Sequence, residues 1–252
     1  MGALYENPEI YDLLYNDRKY GAVKRNWEAL LAGKEIRSLL DVSIGSGNLT
    51  LPLAEMGIEL FGSDLSEAML ENCRKYADAH GLAVDLRCSD FCTVAGKFDR
   101  KFDCVASTGN SLPYVTNENV MKALEQMDAL VAPGGWLYLD TRNWDKILRD
   151  HQRFYLYNPV FHDDTRINLM QVWDYLPDGS MIFNLLYTFE KENRIFRKEH
   201  FEEHYQPIAR RMILDKLAAL GYGEPEVGVF PSGDPGSVEE CDWYYVFARK
   251  LG

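Results

Sequence analysis

The sequence predicts an α/β fold, a doubly wound and mostly parallel sheet, and three observations predict it. Short apolar runs alternate with helical patterns through the first half of the chain, and alternation of that kind implies right-handed crossovers between parallel strands. The first of those runs ends in the glycine-rich turn Ile44-Gly45-Ser46-Gly47-Asn48. After the fifth run an aromatic, period-two stretch interrupts the pattern. With 252 residues and 46% hydrophobic content, the chain is long enough to bury one large core.

The elements follow in order. Residues 9–33 place Leu13, Leu14, Val23, Trp27, Leu30 and Leu31 at helical spacing, which predicts an N-terminal helical segment. Strands are expected at 38–42, 59–63, 83–88, 102–107 and 136–141, separated by helices at 49–56, 66–80 and 117–130. Ser66 followed by Glu67 reads as a helix cap, and Ala132-Pro133-Gly134-Gly135 as a turn before the fifth strand. From Phe154 to Tyr205 alternating aromatics around the turn Leu176-Pro177-Asp178-Gly179-Ser180 predict antiparallel hairpins. A helix over 207–220 stops at Gly221, and strands at 226–230 and 243–249 would bring the sheet to seven. The expected organisation is a single unit, 1–252: a helical segment (1–37), a ligand-binding core (38–150), an antiparallel insertion (151–206) and a C-terminal helix with the last strands (207–252).

Composition narrows the partners. A formal charge of −12 gives no general attraction to nucleic acid or to an anionic membrane. Five scattered cysteines form no CxxC pair, which suits reduced thiols in a cytoplasm and no metal site. The N-terminus lacks a basic region followed by an apolar core, and no apolar run reaches spanning length. A soluble, cytoplasmic protein with a small-molecule substrate is expected, its oligomeric state left open.

The glycine corner asks which nucleotide it serves. A dinucleotide fingerprint would want a third glycine, and Thr50 stands in its place. Asp41, Asp64 and Asp90 fall at the ends of the first three strands, the edge where doubly wound sheets bind ligands. A carboxylate at Asp41 suits a ligand with an ammonium group better than a pyrophosphate. The helix opening after Gly47 would add its amides and dipole to the same site.

On these motifs the chain resembles a class I S-adenosylmethionine-dependent methyltransferase, from Ser38 to Thr141 and in topology to the C-terminus. The resemblance implies a Rossmann-like seven-stranded sheet, with S-adenosylmethionine as cofactor and S-adenosylhomocysteine as product. It further implies that Gly45 and Gly47 make room for the methionyl part and that Asp41 lies at its amino end. Asp64 would take the ribose hydroxyls, Leu65 and Phe91 would flank adenine, Asp90 would accept from its amine, and Thr108 would border the cofactor.

Two later loops carry the acceptor question. Gly109-Asn110-Ser111 and the run Asp140-Thr141-Arg142-Asn143-Trp144-Asp145 are similar to segments of the glycine and sarcosine N-methyltransferases. That similarity implies Arg142 as a carboxylate clamp, Asn110 as the amine contact and Tyr187 as a pocket tyrosine. Tyr155 or Tyr157 would supply another, and Tyr5 a contact from the N-terminus. Arg18, Lys19, Lys24 and Arg25 are all candidates to meet the methionyl carboxylate. Physically, a guanidinium fork pairs with a carboxylate in bidentate fashion and can orient a whole amino acid. The competing reading of Arg142 is a surface salt bridge to Asp140 or Asp145, and of the tyrosines simple packing. The expected activity is N-methylation of a small carboxylate-bearing amine. The alternatives are O- or C-methylation of a larger acceptor in an aromatic-lined pocket, or a module that binds the cofactor without turnover.

Overall fold

The computed structural model describes residues 3–14, 17–231 and 236–251. In chain order the first strands are β1 (Ser38–Asp41), β2 (Glu59–Asp64), β3 (Val84–Cys88), β4 (Phe102–Ser107) and β5 (Val131–Arg142). The insertion supplies β6 (Phe154–Leu156), β7 (Val160–His162), β8 (Thr165–Tyr175), β9 (Met181–Lys191) and β10 (Arg194–Tyr205), and the chain ends with β11 (Glu226–Val229) and β12 (Trp243–Arg249). The helices are α1 (Pro8–Tyr11), α2 (Asp17–Leu31), α3 (Leu51–Glu55), α4 (Glu67–Ala79), α5 (Asn117–Leu130), α6 (Trp144–Asp150) and α7 (Arg210–Ala219).

Seven strands form one sheet in the order β11-β12-β5-β4-β1-β2-β3, parallel from β5 to β3 and antiparallel at both β12 contacts. Its strands are buried on both faces, so neighbouring residues serve different cores. Leu39 packs with Trp27, Leu51 and Leu70 on one side, and Leu40 with Val105, Leu124 and Leu217 on the other. The second sheet, β10-β9-β8-β6 with β7 also on β8, is antiparallel. Its inward residues Trp173, Phe183, Leu185, Tyr187 and Phe201 join the core that holds Leu40. Among the described residues no helix is long and apolar enough to cross a membrane.

Four local expectations need correction. The N-terminal run is broken: α1 gives way to a 3-10 turn at Asp12–Leu14 before α2 begins, and residues 15 and 16 lie outside the described set. The Asp12 carboxylate accepts from Ser46 Oγ (2.6 Å) and Asn48 Nδ2 (2.5 Å), so the segment is pinned to the glycine corner rather than continuing as a helix. The helix after that corner is only five residues long, and the first amides, of Thr50 and Leu51, close on the Gly47 carbonyl at 3.1 and 2.9 Å. Those amides serve the turn, not a ligand. The turn expected at Ala132–Gly135 is a bulge within β5, where pairing with β4 jumps from Phe102↔Val131 to Cys104↔Trp136. Finally, α6 occupies a stretch read as loop, capped by the Asn143 side chain accepting from Lys146 N at 3.2 Å.

Candidate active site

The corner after β1 is built around Asp41. Gly45 and Gly47 turn the chain with φ of +55° and +86°, and a Cβ at Gly47 would lie 2.5 Å from Leu51 Cδ1 and 2.8 Å from Cys73 Sγ. Only glycine fits there. Asp41 is completely buried and accepts from Ser43 N (3.0 Å), Ser43 Oγ (3.2 Å), Thr50 Oγ1 (3.1 Å) and Thr108 Oγ1 (2.7 Å). Burial pushes its pKa up to about 6 against the pull of those donors. The carboxylate expected at the amino end of a ligand is therefore turned inward, its lone pairs already filled. It fastens the end of β1 to the loop after β4.

Three adjoining cavities open along the C-terminal edge of the sheet. The first, about 450 Å³, is lined by Val42, Asp64, Leu65, Asp90 and Phe91 among others. Leu65 is 53% exposed, an apolar platform facing the opening. Asp64 accepts from Gly45 N at 3.0 Å and Ser66 N at 2.9 Å, and burial raises its pKa. Asp90 accepts from Cys92 N at 2.6 Å. A narrow channel bordered by Asp64, Gly45, Thr108 and Gly109 follows. It leads toward the second large cavity, also about 450 Å³, lined by Asn110, Arg142, Tyr157, Gln171, Tyr187 and Glu203 among others.

Arg142 is the buried cation of that second cavity. It is 4% exposed, and its Nη2 donates to Tyr157 OH at 2.8 Å and to Gln171 Oε1 at 3.2 Å. Its guanidinium carbon lies 4.9–5.4 Å from the ring centres of Tyr155, Trp173, Phe183 and Trp243. The surface salt bridge considered from sequence does not form. Asp140 instead accepts from Gly109 N at 2.9 Å, and Asp145 from Arg210 N at 3.1 Å. Among the described residues no carboxylate pairs with Arg142.

The neighbouring residues sort differently from expectation. Asn110, at φ +61°, has its Oδ1 taken by Thr141 Oγ1 (2.8 Å), Arg142 N (3.0 Å) and Trp144 Nε1 (3.1 Å). That oxygen holds the end of β5 in place, its acceptor capacity already taken by three donors. Tyr157 borders the cavity, whereas Tyr155 stacks on Trp173 at 5.5 Å behind the guanidinium and donates to Asp242 at 3.3 Å. Tyr187 is a buried part of the wall. Of the basic candidates, Lys19 borders the cavity while Lys24 pairs with Glu55 at 2.9 Å, Arg25 is exposed, and the Arg18 side chain lies outside the described set.

Sequence reasoning missed Tyr114, Gln171, Glu203 and Tyr205. Tyr5 OH meets Tyr114 OH at 2.7 Å, and Tyr114 OH meets Tyr205 OH at 2.5 Å. Tyr5 borders all three cavities. The signal for Glu203 was present: on β10 it shares the inward phase of Phe201 and Tyr205, an acid where alternation calls for an apolar residue.

The chain is similar to several known proteins. Residues 39–135 match the family described as methyltransferase domain. A ubiquinone biosynthesis O-methyltransferase of Chromobacterium violaceum is 32% identical over 46% of the chain and 47% of its own length. A glycine/sarcosine N-methyltransferase of Parasynechococcus marenigrum is 34% identical over 47% of the chain and 43% of its own length. The chain thus spans about half the length of the curated relatives it matches. Among solved structures, an S-adenosylmethionine-dependent methyltransferase from Clostridium acetobutylicum superposes with a TM-score of 0.75 over 98% of both chains at 16% identity. An amino pentose methyltransferase of Micromonospora echinaspora, solved with S-adenosylmethionine bound, gives 0.71 over 97% of this chain and 96% of its own at 17% identity. Residues 39–135 are thus similar to the methyltransferase domain family, and the whole chain shares the Rossmann-like fold of solved S-adenosylmethionine-dependent methyltransferases.

Proposed function

We propose that this protein transfers a methyl group from S-adenosylmethionine to the nitrogen of a small amine that also carries a carboxylate. The observation that carries the reading is Arg142, a buried guanidinium facing a cavity with hydrogen-bond partners that are all neutral. Burying a charge without a counter-ion is unfavourable, so the arrangement favours a ligand that brings one. Tyr157 and Gln171 hold the fork at fixed orientation, and the surrounding aromatic rings favour its charge.

The first cavity and the narrow channel suit the cofactor. Leu65 and Phe91 form faces for a flat ring, Asp90 retains lone pairs for an exocyclic amine, and Asp64 stands where the cavity narrows, in reach of ribose hydroxyls. Of the basic candidates whose side chains are described, Lys19 is the one that borders a cavity, the acceptor one, and it is the candidate we assign to the methionyl carboxylate. When bound, the cofactor supplies a methyl group on a good leaving group. The chain's own residues then act by orientation: Arg142 fixes the carboxylate of the acceptor, and Tyr187 and Tyr157 exclude water around its amine.

At about 450 Å³ the acceptor cavity lies within the roughly 300–1,000 Å³ of drug-sized ligand sites, which favours an amino-acid-like acceptor larger than glycine. The same volume and aromatic walls support a second reading, O-methylation of a flatter carboxylate-bearing acceptor, and one relative's name points that way. Labelled-methyl transfer across matched amino and hydroxy acids separates the two. Under the first reading amines are methylated and Arg142→Ala abolishes turnover, at least 100-fold, while calorimetric S-adenosylhomocysteine affinity stays within about 3-fold. Unchanged turnover by Arg142→Ala would remove the carboxylate clamp.

A further inference from the structure

One polar group in the acceptor cavity has no place in the reading so far. Glu203 is 1% exposed; neither carboxylate oxygen has a hydrogen bond of good geometry among the described residues, and the Tyr114 hydroxyl is the donor that acts on it. It borders the same cavity as Arg142. On β10 it pairs in register with Phe183 of β9, the residue whose ring lies 5.4 Å beneath the Arg142 guanidinium. An acid without an ion pair in an inward row that is otherwise mostly apolar has no evident packing use, since a leucine or phenylalanine there would pack without the desolvation of two oxygens. The cavity thus presents a buried cation, Arg142, and a buried acid, Glu203, neither of which forms an ion pair among the described residues.

We propose that Glu203 binds the ammonium of the acceptor and receives its proton, forming the opposite pole to Arg142 in a cavity built for a zwitterion. The inference rests on the methyl-transfer reading above and deepens it, because an ammonium has no lone pair and must be deprotonated before it can attack. Glu203 takes one proton from the acceptor nitrogen. The freed pair forms the nitrogen–carbon bond while the carbon–sulfur bond breaks with its electrons left on sulfur, so the positive charge passes from sulfur to the methylated nitrogen. The carboxyl proton returns to water as the product leaves.

The surroundings fit that task. Among the described residues the titratable groups coupled to Glu203 are the phenols of Tyr5, Tyr114 and Tyr205. Burial lifts all three phenols above their ordinary range, so they remain donors and none competes as a base near neutral pH. The Glu203 carboxyl itself is pushed up to about 7, by burial and against a weaker pull from the Tyr114 hydroxyl, so it exchanges a proton readily at neutral pH.

The test compares two probes of equal shape on the full chain with S-adenosylhomocysteine present. Trimethylglycine carries a permanent cation and a carboxylate; 3,3-dimethylbutanoate carries the carboxylate alone. Calorimetry should find trimethylglycine bound at least 10-fold more tightly at pH 8. The preference should fade as pH falls below about 7, where Glu203 is protonated. Glu203→Gln, close to isosteric, should abolish the preference without changing the melting temperature by more than a few degrees. Equal binding of the two probes by the wild-type protein overturns the role of Glu203 and leaves the Arg142 clamp standing. A preference that survives in Arg142→Ala with undiminished affinity overturns the clamp and leaves Glu203 standing. Failure of both probes to bind overturns both. In the amine panel, Glu203→Gln should lower kcat at least 10-fold at pH 7, and an undiminished kcat overturns the proton transfer.

Discussion

Tyr155 and Tyr157 lie two positions apart and meet Arg142 in different ways. Tyr157 accepts a hydrogen bond from the guanidinium, and Tyr155 offers it a ring face while its hydroxyl goes to Asp242. Tyr157→Phe should therefore raise the KM for a carboxylate-bearing acceptor about 5-fold, the effect of roughly 1 kcal/mol, with Gln171 keeping part of the fork in place. Tyr155→Phe should change it by less than about 2-fold, and steady-state kinetics on the two variants checks both. A period-two pattern puts both tyrosines on one face, so alternation could not separate them; the partner of each hydroxyl does. Asp41 was misjudged for a related reason. The residue type and strand position were legible, but the number of donors converging on a carboxylate depends on Thr50 and Thr108, brought there only by folding. Glu203 was legible in phase and was passed over because its neighbours are so strongly aromatic.

At the scale of elements, strands buried on both faces were the easiest to read, since β1, β2 and β4 are short apolar runs with no competing helical period. The helices that close turns were the hardest. α3 and α6 are five and seven residues long, held by local caps and by packing rather than by an amphipathic stripe. The turns on either side of α3 give a direct comparison between two glycines. Gly57 has φ +83° and nothing within 4 Å of where a Cβ would stand, so Gly57→Ala should cost about 1–2 kcal/mol from the left-handed backbone alone. Gly47, at φ +86°, adds the overlap with Leu51 and Cys73, and Gly47→Ala should cost about 2–5 kcal/mol. Urea unfolding midpoints at constant m-value measure the difference, and equal midpoints would contradict the crowding at the corner.

For the whole molecule, buried acids set the pH response, Asp41, Asp140 and Glu203 foremost. Burial raises the pKa of Asp41 to about 6 and those of Asp140 and Glu203 to about 7. In the unfolded chain these groups titrate near 4, so between about pH 4 and 7 the folded state binds more protons. Their contribution to stability is full below that window and is lost as pH rises through 6 to 7. A net charge of −12 acts in the same direction, because deprotonation adds to self-repulsion. The ligand-free protein should melt roughly 4 °C or more higher at pH 6 than at pH 8 by scanning calorimetry, and a higher melting temperature at pH 8 would contradict it. The sheet order and the aromatic insertion were legible because each rests on a period repeated over many residues. The meeting of Arg142, Gln171 and Glu203 was not, since it joins three strands of two sheets through contacts no local period encodes.

Tyr5 sits on a four-residue turn, Ala3–Glu6, and its side chain borders every one of the three chambers. A wall shared in this way cannot swing aside for one occupant without opening the space around the others. The two large chambers therefore share one wall, and what fixes it is the Tyr5–Tyr114–Tyr205 hydroxyl chain.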